Sequence, residues 1–248
     1  MENKNYLIEN IEKLGLQTSS QNIELIDLFY HELLKWNEKT NLTRIIDEKD
    51  FIDKHILDSL SCKKVLDTVY QKGLKVIDIG TGAGFPLLPL WFFYQEMEIT
   101  LVDSVNKKLE FIRHFPNVAK ENFPDLDISK VKVVHSRAED LGKDKLYKAQ
   151  YDLIVSRALS RLASLIELAM PFIKVDGLFL AMKGHEIEEE VQEANKVNQM
   201  IGGGQINIDK FPLLDTELMR SFITIKKITK TSPYFPRRPG MAQKTPIV

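Results

Sequence analysis

The stretch Lys75-Val76-Ile77-Asp78-Ile79-Gly80-Thr81-Gly82-Ala83-Gly84-Phe85-Pro86 constrains this chain more than any other. A short apolar run contains an acid, passes three glycines at alternate positions and meets Pro86, behind which Leu87, Leu88 and Leu90 begin a new apolar pattern. Proline suits the first helical turn, where backbone donors have no intrahelical partner. Glycines between a strand and a helix let the chain reverse sharply and bring backbone close to a ligand. The segment therefore predicts strand, tight turn and helix, the corner at which open α/β sheets hold nucleotides; a glycine turn with no ligand is the plainer alternative.

The dinucleotide fingerprint G-x-G-x-x-G wants its third glycine where helix packs on strand. Here that glycine comes one residue early, and Phe85 takes its place. The pattern D-x-G-x-G-x-G resembles instead the first motif of class I S-adenosylmethionine-dependent methyltransferases, whose cofactor has no pyrophosphate to cradle. With 248 residues, 44% of them hydrophobic, the chain can bury a substantial core and predicts one large domain with a smaller appendage. A formal net charge of -1 supplies no global field toward nucleic acid or membrane, so any basic footprint is local. Cys62 stands alone, which excludes disulfides and multi-cysteine zinc sites and favours a reducing, cytoplasmic setting. The five histidines are not at metal-ligand spacing, so no metal is expected. No export signal and no apolar run of ~18 residues is present, and no membrane span is expected.

Residues 1–64 read as an N-terminal helical region and 65–248 as the α/β domain, whose tail from 226 onward is basic. Leu7, Ile8, Ile11 and Leu14 recur at helical spacing and stop at Gly15; Ile23, Leu25, Ile26, Phe29, Leu33, Leu34 and Trp36 form a second stripe, broken across Asn37 to Thr43. A third helix carries Ile52, His55, Ile56, Asp58 and Ser59. Strands are predicted at 75–79, 99–103, 131–135, 152–155, 178–182 and 221–228 with helices between most of them, which argues for a mostly parallel sheet. A helix begins near Glu186, and Gly202-Gly203-Gly204 reads as a flexible break.

Asp78, Gly80, Gly82 and Gly84 belong to the glycine turn. Asp103 ends the second strand, where an acid either accepts from ribose hydroxyls or caps a helix. Ala138 and Glu139 follow the third strand, placed either to meet an adenine edge or to start a solvated helix. The fourth strand ends in Val155-Ser156-Arg157-Ala158, without the N/D-P-P-aromatic motif of exocyclic-amine methylation, and the one cysteine lies outside the α/β region, away from C5-pyrimidine chemistry. What remains is transfer to an atom that needs neither a nucleophile nor a base from the enzyme. Guanine N7, with its in-plane lone pair, is such an atom, and Arg157 would then orient rather than deprotonate. Residues 226–248 hold six cations and no acid, with Tyr234 and Phe235 among prolines, a composition suited to an RNA backbone and unstacked bases.

Together these residues resemble the small-subunit ribosomal RNA guanine-N7 methyltransferase G family, also called glucose-inhibited division protein B. The resemblance runs through Trp36-Asn37, Asn41-Leu42-Thr43, His55-Ile56-Leu57-Asp58-Ser59-Leu60, Asp78 to Pro86, Leu101-Val102-Asp103-Ser104 with Lys107-Lys108, Arg137-Ala138-Glu139, Ser156-Arg157-Ala158 and Pro236-Arg237-Arg238 with Gly240 and Pro246. Leu87 departs from it, because the family usually has glycine after Phe-Pro. The resemblance implies a Rossmann-like, mostly parallel seven-stranded sheet with an N-terminal helical extension. It also implies a monomeric bacterial cytoplasmic enzyme that methylates N7 of a guanine in the 530 loop of 16S rRNA, using S-adenosylmethionine. Carried over by position, cofactor contacts fall on Gly80, Phe85, Ala138, Glu139 and Arg157. Arg44, His55, Lys183, Arg237 and Arg238 are the expected RNA-facing set, and Arg237→Ala is expected to weaken RNA binding and leave cofactor affinity unchanged. A small-molecule methyltransferase, an NAD-dependent reductase and a non-catalytic RNA-binding module are the rival readings of the same residues.

Overall fold

Strand alternation decides which layer each residue serves. In β1 (Lys75–Ile79), Val76 joins the apolar cluster on one face of the sheet, and Ile77 and Ile79 join the cluster on the other. The same division holds in β2 (Glu98–Asp103), where Ile99 and Leu101 oppose Val102, and in β5 (Ile173–Lys183), where Leu180 and Met182 oppose Phe179 and Ala181. The computed structural model describes every residue except Ala158, Leu159, Asp215 and Glu217, so Ala158 of the Ser156-Arg157-Ala158 motif lies outside the described residues. With β3 (Val131–His135), β4 (Tyr151–Arg157), β6 (Gly203–Pro212) and β7 (Met219–Lys227), the described residues form a seven-stranded sheet in the order β3-β2-β1-β4-β5-β7-β6. The first five strands are parallel; β7 runs antiparallel to both β5 and β6.

Strand order reverses between β1 and β4, which opens a crevice beyond their carboxyl ends, the place where such sheets bind ligands. Helices α6 (Leu87–Phe93), α7 (Asn106–Asn122), α8 (Ala138–Leu141) and α9 (Leu162–Ala169) lie in the crossovers, and α10 (Glu188–Ile201) precedes β6.

The N-terminal helices α1 (Lys4–Lys13) and α2 (Ser20–Thr40) pack into the same apolar cluster as α6, α7 and one sheet face. Phe29 sits at its centre, with ring centroids 4.9–6.3 Å from Phe51, Phe85, Phe92, Phe111 and Phe115; such pairs add roughly 0.5–1.5 kcal/mol each beyond area burial. Ser19 caps α2 by accepting from Asn22 N at 3.1 Å, and Asn22 returns the bond, a capping box. The expected break at Asn37 comes later, at Asn41 with φ 48°, because Glu38 and Lys39 are exposed and the apolar stripe fades before the helix does.

Three further local expectations change. The third helix is α3 (Glu48–Phe51) and α4 (Asp58–Leu60) joined by a π-helical stretch, Ile52–Leu57, with the short α5 (Lys63–Leu66) after it. The triple glycine is no loose hinge: Gly202 (φ 88°) ends α10 and Gly203 opens β6, a strand the apolar pattern does not announce. A Cβ on Gly203 would stand 1.7 Å from Asn198 Oδ1, so only glycine fits. Lys227 is 1% exposed and donates to Met170 O and Ile201 O at 3.0 and 2.8 Å, so it is a core polar group and not part of a basic tail; burial pushes its ammonium down to about 7. Leu87, the departure from the family pattern, is fully buried among Cys62, Leu66 and Val76 and serves the core. No helix among the described residues is long and apolar enough to cross a membrane.

Candidate active site

Gly80, Gly82 and Gly84 all take positive φ (74°, 61° and 96°), which alanine would strain at each position. At Gly84 a Cβ would also meet Leu88 Cδ1 at 2.4 Å, whereas at Gly82 nothing lies within 4 Å, so that backbone faces open space. Asp103 is not the cap of the helix that follows, whose N-cap is Val105; its carboxylate braces the turn and lines the cleft beside it. Its Oδ2 accepts from Gly82 N at 3.0 Å and its Oδ1 from Val105 N at 2.8 Å, bracing the glycine turn against the end of β2. Each oxygen keeps a lone pair for a ligand.

Gly80 and Asp103 border a cleft of about 300 Å³ walled also by Lys108, Ser136–Glu139 and Gln243. Beside the turn, both carboxylate oxygens of Asp78 and the hydroxyl of Thr81 are buried without a hydrogen-bond partner. Burial, helped by Asp103, pushes the Asp78 carboxyl up to about 8, against the neighbouring Thr81 hydroxyl and then the charge of Arg157. A buried carboxyl with no hydrogen-bond partner is costly unless a ligand completes it. S-adenosylmethionine carries a ribose and an adenine, and the residues present fit them: the cleft is lined by the Asp103 and Glu139 carboxylates, Ser136 and polar backbone, with the Asp78 carboxyl buried beside the turn.

A second cavity, of about 440 Å³, opens at the carboxyl ends of β4 and β5. Arg157 organises it. Its Nη1 donates to Asp58 Oδ2 at 2.9 Å and to Lys54 O at 3.0 Å, and its Nη2 to His55 Nδ1 at 3.1 Å. With Nδ1 accepting, the imidazole proton sits on Nε2, 2.9 Å from the Thr43 hydroxyl oxygen. Burial and the Arg157 charge hold His55 neutral, its imidazole pushed down to about 3. The ring stacks on Phe85 at 4.2 Å and 12°, and the Arg157 guanidinium lies 5.1 Å from the same phenyl ring. Phe85 thus joins the glycine turn to this cavity. The Asn41-Leu42-Thr43 loop is explained as the support of His55: Asn41 lets α2 end left-handed, and Asn37 Oδ1 accepts from Thr43 N at 2.9 Å.

Sequence reasoning missed Arg220. Its Nε donates to Asp58 Oδ1 at 2.6 Å, making Asp58, 5% exposed at its side chain, a bridge between two arginines. Its signal was available: β7 is antiparallel to β5, Ser221 pairs with Lys183, and the residue before Ser221 must come to the carboxyl edge.

Of the expected residues, His55, Arg157 and Lys183 line the second cavity, with Lys183 Nζ also bound to Glu190 at 2.9 Å. Gly80, Asp103, Ala138 and Glu139 line the first. Arg157 borders the second cavity and not the first, so its place as a direct cofactor contact rests on the family resemblance alone. Arg44 lies in the surface loop with Asn41–Thr43. Arg238 is exposed. Arg237 is a correction: its Nε and Nη2 grip the buried carboxylate of Glu167 at 2.9 and 2.6 Å, so this guanidinium is committed inside the protein and is no free RNA-facing cation.

Comparison with known proteins identifies the family and the fold. The family model described as rRNA small subunit methyltransferase G matches residues 22–219. Among relatives, the ribosomal RNA small subunit methyltransferase G of Alkaliphilus metalliredigens is 36% identical, with all of both chains covered. Its counterpart from Desulforamulus reducens is 40% identical over 88% of each chain. In fold, the chain is similar to a crystal structure of a putative S-adenosyl-L-methionine-dependent methyltransferase from Methanococcus maripaludis, with a TM-score of 0.51 at 17% identity over 73% of this chain and 91% of that one.

Proposed function

Because this chain belongs to the rRNA small subunit methyltransferase G family, we propose that it methylates N7 of a guanine in the 530 loop of 16S rRNA, acting in the cytoplasm as a monomer. S-adenosylmethionine, when bound, supplies an electrophilic methyl group. Asp78 would hold its cationic end, the turn at Gly80, Gly82 and Gly84 would admit its backbone-hugging part, and Ala138 and Glu139 would face its base. The observation that carries the reading is the second cavity beside that cleft, built on Arg157, His55 and Phe85.

That cavity suits a guanine. Arg157, Arg220, Lys54 and Lys183 line it against the single lining carboxylate of Asp58 among the described residues. Cations there favour the electron-rich O6 edge and the flanking phosphates. N7 itself must stay unbonded so that its lone pair can attack. His55 is held neutral and its ring nitrogens are both engaged, so it orients Arg157 and Phe85 and transfers no proton. Nothing in the reaction requires a base, and holding the base in line with water excluded is the chemical task of these residues.

The direct test is transfer of labelled methyl from S-adenosylmethionine to unmethylated small ribosomal subunits and to protein-free 16S rRNA, followed by mapping. Label at a 530-loop guanine N7 is expected. Cofactor binding without transfer to either RNA would overturn this reading in favour of a small-molecule acceptor.

A further inference from the structure

The basic composition of the carboxyl-terminal segment suggested an arm reaching out to RNA, yet its backbone is fastened to the protein at four points. Phe235 is 1% and Ala242 0% exposed. Ser164 donates its hydroxyl to Ala242 O at 2.7 Å. Arg237 engages Glu167, itself 1% exposed at its side chain, and donates onward to Thr245 O at 2.9 Å. Gly240, in a left-handed conformation (φ 81°), donates its N–H to Glu139 Oε1 at 2.7 Å. A segment held by a buried ion pair and by a cleft-lining carboxylate is a wall, not a tether.

From this we infer that the segment carrying α11 (Met241–Lys244) completes the cofactor cleft, and that Gln243 is a specificity residue for the nucleobase. The inference rests on the S-adenosylmethionine reading of the cleft. Gln243 lines the cleft together with Ala138, Glu139 and Leu168. Its amide offers a donor and an acceptor, the complement of adenine's amino group and adjacent ring nitrogen. Glu139 has one oxygen occupied by Gly240 N–H, which fixes the carboxylate and leaves its other oxygen to accept from the same amino group. Lys230, Arg238 and Lys244 remain exposed and carry whatever RNA contact the segment makes from outside.

The consequence reverses the expectation for Arg237: removing it should loosen the wall and weaken the cofactor. The experiment is calorimetric binding of S-adenosylhomocysteine and of its 6-oxo (inosine) analogue to the full-length protein, to Gln243→Ala and to Arg237→Ala. Gln243 is exposed in the ligand-free protein, so its variant will fold. Gln243→Ala is expected to weaken S-adenosylhomocysteine about tenfold and to shrink its preference over the 6-oxo analogue by a similar factor. Arg237→Ala is expected to weaken both ligands alike, with new proteolytic cleavage in the segment. Wild-type protein that binds neither ligand would overturn the cofactor reading and this inference with it. Wild-type binding matched by unchanged affinity and preference in both variants would overturn this inference alone.

Discussion

Asp78→Asn is expected to lower cofactor affinity by at least about 100-fold while making the ligand-free protein more resistant to heat, with a gain that grows with pH. The carboxyl is fully buried, has no hydrogen-bond partner and is pushed up to about 8 from an ordinary value of 3.8. Between those two pH values the unfolded chain has released this proton and the folded one has kept it. More protons on the folded state mean that stability falls as pH rises through that window. Asparagine is neutral throughout and has no such fall. The melting temperature of the variant should therefore pull ahead of the wild type from about pH 5 toward pH 8 and keep a constant lead above it; parallel curves would show that Asp78 is not held neutral. Binding has the opposite slope. A cationic ligand stabilises the ionised carboxylate, so wild-type binding releases a proton below pH 8 and tightens as pH rises, a dependence asparagine should abolish. A stabilised protein that no longer holds its cofactor is the usual exchange at a functional site.

Asp58→Ala is expected to cost about 3–5 kcal/mol of stability, because it leaves a mostly buried guanidinium without its counter-ion. Among the described residues, Asp58 is the only lining residue that binds both Arg157 and Arg220, at 2.9 and 2.6 Å. With Arg220 released and Arg157 held only by Lys54 O and His55 Nδ1, the cavity loses its defined shape, and methyl transfer at saturating cofactor should fall about 100-fold, the scale set by small misplacements of reacting groups. Cofactor affinity should change little, since Asp58 lines only the second cavity. If the variant is too unstable to assay, Arg220→Gln tests the same bridge at the more exposed end. Equal losses in cofactor affinity and in turnover would place Asp58 in scaffold support alone.

The legible parts of this chain were those whose causes are local. Asp78 to Pro86 announced strand, turn and helix because glycine and proline restrict or free the backbone whatever surrounds them. The parallel strands were legible because both faces are covered and they read as apolar runs. β6 was not: it is the sheet's edge, with Gly203, Gly204, Asn207, Asp209 and Lys210 along it, and burial gives it no clear alternation. Charges were the least legible, because a cation's sequence position says nothing of its partner. Arg237 meets Glu167 seventy residues away, and Arg220 meets Asp58 at a separation of 162, so one was assigned outward and the other not noticed. His55 and Arg157 were picked out by pattern, but their mutual hydrogen bond and the phenyl ring between cleft and cavity exist only in three dimensions.

Synthesis of this chain meets a timing problem at Phe29. The ring is complete in its surroundings only when Phe85, Phe92, Phe111 and Phe115 have been made. The first two helices therefore leave the ribosome with an apolar stripe and wait, at ≈ 5–20 residues per second, several seconds for the strands and helices that cover it. A fragment ending near residue 66 should be poorly helical and bind apolar dyes, and gain its structure only when the chain is extended past α7; a well-folded fragment would show that the helical region is self-sufficient. During that interval the apolar stripe around Phe29 is open to a nascent-chain chaperone.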